Sequence, residues 1–258
     1  MSSPRDDMPY TCIEMPCRHG EQRIYGKLFV PKAKGPFMGV VCSHGFNGTH
    51  ASPERYARRF AAAGFAAYAF YFPGGSEESR SDGSMLEHSL ATEADALCSV
   101  LKFFGALDLV DETRVFLEGH SQGGIVSALV AGRRPQDVQG LCLLYPAFMI
   151  PDMVRDAFGD PDEIPAIFEQ LGATIGAPYA RDVWDLDPYV QACGYDGPVL
   201  MFHGDHDKIV PRSCIERALD AYADAELVTL PEEGHGFGPD GVEQAASRMI
   251  AFMRAHAS

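Results

Sequence analysis

Six residues, Gly119-His120-Ser121-Gln122-Gly123-Gly124, constrain this chain more than any others. They follow the apolar run Val115-Phe116-Leu117 and lead into Ile125-Val126-Ser127-Ala128-Leu129-Val130, so a strand passes into a helix through a turn with Ser121 at its tip. This is the G-x-S-x-G pattern, in which a sharp strand-to-helix turn holds a serine hydroxyl at the carboxyl edge of a sheet. A side chain at Gly119 or Gly123 would collide with the adjoining strand or helix in so tight a turn. The helix start brings free amides and the positive end of a dipole beside Ser121, where they favour developing negative charge. Five residues alone also fit a glycine-rich turn whose serine merely caps a helix, so the reading depends on partners elsewhere in the right order.

The chain around the turn alternates strand and helix. Residues 10–17 and 22–30 read as two strands joined by the polar turn Arg18-His19-Gly20-Glu21, and 37–43 as a buried strand running into His44-Gly45-Phe46-Asn47-Gly48. A helix over 53–63 ends at Gly64, a strand follows over 65–71, and a second helix spans 86–105 with Leu90, Ala94, Leu97, Leu101 and Phe104 on one face. Beyond the turn, strands at 141–145, 199–202 and 227–230 and helices at 211–222 and 241–256 complete a βαβ rhythm. That rhythm predicts an α/β fold with a mainly parallel, doubly wound sheet. The rhythm breaks once: about fifty residues separate Tyr145 from Val199, far more than a crossover in a compact α/β domain requires. They carry Phe148, Met153, Phe158, Phe168, Tyr179 and Trp184, enough apolar area for a small packed unit. We read 1–146 and 196–258 as the core and 147–195 as an inserted cap, the alternative being that these residues only complete the main core.

In the chain order Ser, then Asp or Glu, then His, the base follows the acid, and the histidines beyond the insert are His203, His206, His235 and His256. His256 is at the end of the last helix, and His203 and His206 flank the strand end that supplies the acid. His235 remains, in a glycine-flanked loop directly after the strand at 227–230. For the acid, Asp207 is preferred to the alternative Asp205, since an aspartate directly after Gly204 is commonly used to bond its own turn. The backbone amides of Gln122 and Phe46 are the candidate oxyanion donors, one following the nucleophile and one in the loop after residue 43. A metal at His203-Asp205-His206-Asp207 is not expected, because alternation along a loop does not give the facing histidines of a helical zinc site.

Composition excludes other classes. The 258 residues suffice for one large domain. The formal charge of -15 disfavours nucleic acid or an anionic membrane as partner. Seven scattered cysteines, none spaced C-x-x-C, fit a reducing compartment. The polar N-terminus and the lack of a long apolar stretch lead us to expect a cytoplasmic protein.

Taken together, these pieces resemble the α/β-hydrolases, and more narrowly the bacterial cinnamoyl and feruloyl esterases with a small inserted cap. The matching segments are His44-Gly45-Phe46-Asn47-Gly48, the Gly119–Gly124 turn, Leu143-Leu144-Tyr145-Pro146-Ala147, Asp187-Pro188-Tyr189, His203-Gly204-Asp205-His206-Asp207 and Gly234-His235-Gly236-Phe237. The resemblance implies an α/β-hydrolase fold and hydrolysis of hydroxycinnamate esters by Ser121, His235 and Asp207 through an acyl-enzyme. It also implies no cofactor and a small-molecule ester as partner, with a homodimer left open. In the cap, Asp152 and Tyr179 fall where such enzymes meet the phenolic hydroxyl. Acyl-peptide, thioester or lactone hydrolysis on the same scaffold, or a binding protein without turnover, are the alternatives.

Overall fold

A computed structural model describes residues 8–257. In chain order the strands are β1 (Tyr10–Glu14), β2 (Cys17–His19), β3 (Gln22–Ile24), β4 (Gly26–Pro31), β5 (Phe37–Ser43), β6 (Ala66–Phe70), β7 (Val110–His120), β8 (Gly140–Leu144), β9 (Ile167–Gln170), β10 (Ala173–Gly176), β11 (Val199–Gly204) and β12 (Ala225–Leu230). The helices are α1 (Ala51–Ala62), α2 (Leu90–Gly105), α3 (Gln122–Arg133), α4 (Ile150–Phe158), α5 (Ala177–Arg181), α6 (Pro188–Gln191), α7 (Arg212–Ala221) and α8 (Pro239–Ala255).

Eight strands form one sheet in the order β1-β4-β6-β5-β7-β8-β11-β12. Pairing is antiparallel for β1 with β4 and β4 with β6, and parallel from β6 through to β12. The central strands read as unbroken apolar runs because both faces are covered. Alternate residues divide between them: Val41, Leu117, Leu143 and Met201 face α2, α3 and α7, while Val40, Phe116, Cys142 and Leu200 face α1 and α8. This is the α/β-hydrolase fold. Strand order reverses between the neighbours β5 and β7, whose outgoing loops part in opposite directions and leave a crevice at their carboxyl ends, where such sheets bind ligands. Ser121 stands at that edge.

Two expectations are corrected in detail, and the inserted segment takes a definite place. The two long N-terminal strands are four short ones: β1 pairs with β4 at the sheet edge, and β2 and β3 form a separate small hairpin. The break falls at Met15-Pro16, where proline offers no amide for a ladder. The helix expected from residue 86 starts at Leu90, because Ser89 and Thr92 form a reciprocal capping box that ends the preceding turn. The segment between β8 and β11 contains α4, the β9–β10 hairpin, α5 and α6, yet its buried residues, among them Phe148, Ile164, Ile175 and Val183, join the apolar cluster of α2 and α3. It therefore packs onto the sheet layer rather than around a core of its own.

Candidate active site

The turn at 119–124 has the strain its pattern predicts. Ser121 takes φ 50° and ψ -114°, a region that costs a non-glycine residue about 1–3 kcal/mol and persists only where surroundings enforce it. They do so here: the Ser121 amide donates to the Leu144 carbonyl at 2.9 Å, and the Ser121 carbonyl accepts from the amides of Gly124 and Ala147 at 3.0 Å each. The glycines are required sterically. A Cβ at Gly119 would lie 2.3 Å from the Gly123 carbonyl oxygen, and one at Gly123 would lie 2.3 Å from the His44 carbonyl oxygen.

Three side chains from three strand ends meet at the crevice. His235 Nε2 lies 3.0 Å from Ser121 Oγ, and His235 Nδ1 lies 3.0 Å from Asp207 Oδ2. The Asp207 side chain is fully buried, and its Oδ1 accepts from the amides of Ile209 at 2.8 Å and Val210 at 3.0 Å. A carboxylate offers only lone pairs, so the proton between Asp207 and His235 belongs to Nδ1, and Nε2 is left to accept the serine proton. Asp205 does something else. Its Oδ1 accepts from the Glu232 amide at 2.6 Å, tying the loop after β11 to the loop that carries His235. The His206 amide, donating to the Glu233 carbonyl at 2.9 Å, adds a second tie, and Glu233 itself caps α8 by accepting from Gly238 and Gly241. His203 Nε2 lies 3.0 Å from the Val210 carbonyl oxygen and 3.8 Å from Asp207 Oδ2, so its nearest partner is the backbone.

A cavity of about 690 Å³ opens over Ser121, walled by Phe46, Met149, Ile150, Met153, Leu171 and Tyr179. Phe46 follows Gly45, where a Cβ would come within 3.1 Å of Ser121 Cβ, so the loop after β5 abuts the serine. Gln122 heads α3, and its amide, in the first turn, has no acceptor within the helix. Both amides required of an oxyanion pocket therefore belong to segments that border Ser121. His44 holds this loop: its ring lies 2.7 Å from the Gly45 carbonyl through Nδ1 and accepts the Phe72 amide at Nε2 over 3.0 Å. Burial drives its pKa down to about 4, which keeps the ring neutral for both bonds.

The two cap residues part company. Tyr179 is buried in the cavity wall, its ring edge-on to Phe46 at 5.6 Å, and its hydroxyl donates to Gln122 Oε1 at 2.8 Å. Gln122 Nε2 in turn donates to Glu93 Oε2 at 2.8 Å. Glu93 is sealed within the protein, and burial pushes its pKa up to about 8. Asp152 is not brought to the cavity. It stands in the first turn of α4 with its side chain half exposed, bonds Arg155 at 2.6 Å, and borders a separate recess with Trp184, Tyr189 and Arg217. The helical i, i+3 spacing to a cation was the available sign of that role. Sequence reasoning missed Glu93, which read only as one position on a helix.

Comparisons with known proteins place the chain among hydrolases of this fold. The family model described as "Serine aminopeptidase, S33" matches residues 35–176. The chain is 29% identical over 188 residues to the dihydrolipoyllysine-residue acetyltransferase component of the acetoin cleaving system of Pseudomonas putida, a match covering 58% of this chain and 48% of that protein. The chain thus spans about half the length of that curated relative. Among solved structures, Est1E from Butyrivibrio proteoclasticus with ferulic acid bound superposes with a TM-score of 0.85 at 25% identity, covering 94% of this chain and 98% of that one. The α/β hydrolase GrgF from Penicillium sp. sh18 shares the fold at a TM-score of 0.79 and 18% identity, over 96% and 99% of the two chains.

Proposed function

The chain belongs to the serine aminopeptidase S33 family, a hydrolase on the α/β-hydrolase fold, and from that premise we propose a serine esterase that cleaves hydroxycinnamate esters. The observation that carries the proposal is the continuous contact from Ser121 through His235 to the sealed Asp207 carboxylate, 3.0 Å at each step. His235 Nε2 takes the Ser121 proton as Oγ bonds to the ester carbonyl carbon. The carbonyl oxygen becomes an oxyanion facing the amides of Phe46 and Gln122. The intermediate collapses, the bond to the alcohol oxygen breaks, and His235 returns the proton to that oxygen. Water repeats the sequence on the acyl-enzyme and releases the carboxylic acid. Asp207 keeps the ring in the working tautomer and stabilises its charged form.

The acyl specificity is argued from the cavity wall. Met149, Ile150, Met153 and Leu171, all from the segment between β8 and β11, give an apolar slot for an aryl group. Because Tyr179 gives its own proton to Gln122, its oxygen keeps lone pairs that can accept from a phenolic hydroxyl. Ferulic acid, found bound to Est1E, has the same aryl shape. The test is kcat/KM for methyl ferulate, methyl p-coumarate, methyl cinnamate, p-nitrophenyl acetate and a thioester, with wild type, Ser121→Ala and Tyr179→Phe. Ferulate and p-coumarate should lead, Ser121→Ala should abolish turnover, and Tyr179→Phe should lower the two phenolic esters roughly three- to tenfold against cinnamate. A wild type that favours acetate would end the hydroxycinnamate assignment, and turnover by Ser121→Ala near wild type would end the mechanism.

A further inference from the structure

A second hydrogen-bonded serine and histidine border the same cavity, backed by a buried carboxylate. His120 precedes the nucleophile at the end of β7, and its ring is buried. Its Nε2 bonds the carboxylate of Glu118, two residues earlier and fully buried, and its Nδ1 lies 3.1 Å from Ser52 Oγ at the start of α1. The Tyr145 hydroxyl is also near Nδ1, at 3.4 Å. Tyr56 holds the His120 ring edge-on at 5.1 Å. Ser52, His120 and Tyr145 all border the cavity over Ser121, and Tyr145 packs against the His235 ring with centroids 4.6 Å apart.

The polarity of this group follows from donor and acceptor counting. A carboxylate only accepts, so the proton shared with Glu118 belongs to His120 Nε2, and Nδ1 has a single lone pair left. Two hydroxyls compete for it, and the nearer, Ser52, wins; at 3.4 Å the Tyr145 contact is at the long limit of such a bond. Ser52 thus gives its proton inward and shows the cavity an acceptor oxygen, while Tyr145 keeps its proton and shows a donor. A donor and an acceptor joined through one ring match an alcohol hydroxyl, which both donates and accepts. The cap supplies apolar wall, so this polar pair is suited to the other half of an ester.

We propose that Ser52 and Tyr145, set by His120 and Glu118, form a subsite for a free hydroxyl on the alcohol portion of the substrate. The preferred esters are then those of diols, polyols or sugars rather than of simple alkanols. This inference rests on the esterase reading above. The four side chains are positioning and binding groups, and no bond is made or broken at Ser52.

The test compares 2-hydroxyethyl and propyl esters, nearly equal in size, of both cinnamic and acetic acid. Because the cavity is open and water takes the place of a missing hydroxyl, the preference should be modest, roughly three- to tenfold in kcat/KM for the 2-hydroxyethyl ester. Ser52→Ala and Tyr145→Phe should each bring that ratio to about one in both acyl series, with the propyl ester as internal reference. A wild-type ratio near one overturns the subsite, with no variant needed. A ratio that survives both substitutions in folded protein, checked by thermal unfolding, overturns it as well. If cleavage of all four esters is independent of Ser121, the esterase reading falls and the subsite with it, whereas Ser121-dependent cleavage with a flat ratio removes the subsite alone.

Discussion

Asp207 and Asp205 stand two positions apart and do unlike work, which makes them the sharpest test at the scale of single residues. Asp207 is sealed against His235, while Asp205 is an exposed tie to the Glu232 amide. Asp207→Asn should lower kcat by on the order of 10³–10⁴, because an amide in that place favours the wrong histidine tautomer. Asp205→Asn retains a carbonyl acceptor and should lower it by less than about tenfold, both read from steady-state hydrolysis of one ester. Glu93 gives a prediction in pH. Burial raises its pKa from the usual 4.5 to about 8, so between those values the folded chain holds a proton that the unfolded chain has released. Stability contributed by this site therefore falls as pH rises through that window. Glu93→Gln keeps an acceptor for Gln122 and removes the titration, so its free energy of unfolding in denaturant should match wild type near pH 5 and exceed it near pH 8.5, by on the order of 2–5 kcal/mol. His44 runs the other way. Its pKa falls from 6.5 to about 4, so the unfolded chain binds a proton that the folded one refuses, and stability is lost as pH drops through that window.

Among the elements, the turn between β7 and α3 joins local conformation to function most directly. Gly123→Ala would drive a Cβ to 2.3 Å from the His44 carbonyl oxygen, which is backbone with no rotamer to yield. Relief requires moving either Ser121 or the loop that carries Phe46. A displacement of about 1 Å between nucleophile and oxyanion donors can cost on the order of a hundredfold, so kcat/KM should fall at least that far while the sheet stays folded by circular dichroism. Unchanged activity would show that the two segments are not held in register by this contact. The elbow was legible from the sequence because everything it needs is within six residues. The start of α2 was less so: helical periodicity runs back to Leu86, but the capping box at Ser89 and Thr92 decides the boundary.

At the scale of the whole molecule, the segment between β8 and β11 is built into the apolar layer rather than laid over it. Phe148, Ile164, Ile175, Val183 and Tyr195 share one buried cluster with Leu97, Ile125 and Leu129 of α2 and α3, and the Ser89 hydroxyl bonds Asp182 across the same boundary. Replacing residues 147–195 with a short linker would expose that face, so the shortened chain should lose cooperative thermal unfolding instead of becoming an open-site esterase. A sharp transition in the shortened protein would mean that the layer closes without the insert. From β5 onward, the alternation of sheet strands and helices and the place of Ser121 at a strand-to-helix turn were determined by the sequence alone, because they rest on hydrophobic period and turn chemistry, and the proposal of Asp207 and His235 as its partners rests on chain order. Only the tertiary structure decided that Asp152 turns to Arg155 and away from the cavity. It alone joined Gln122 to Glu93 across 29 positions, Tyr179 to Gln122 across 57 and His120 to Ser52 across 68. The physical reason is that periodicity tells which face of an element is buried, whereas the partner of a buried polar group is set by what another element presents opposite it.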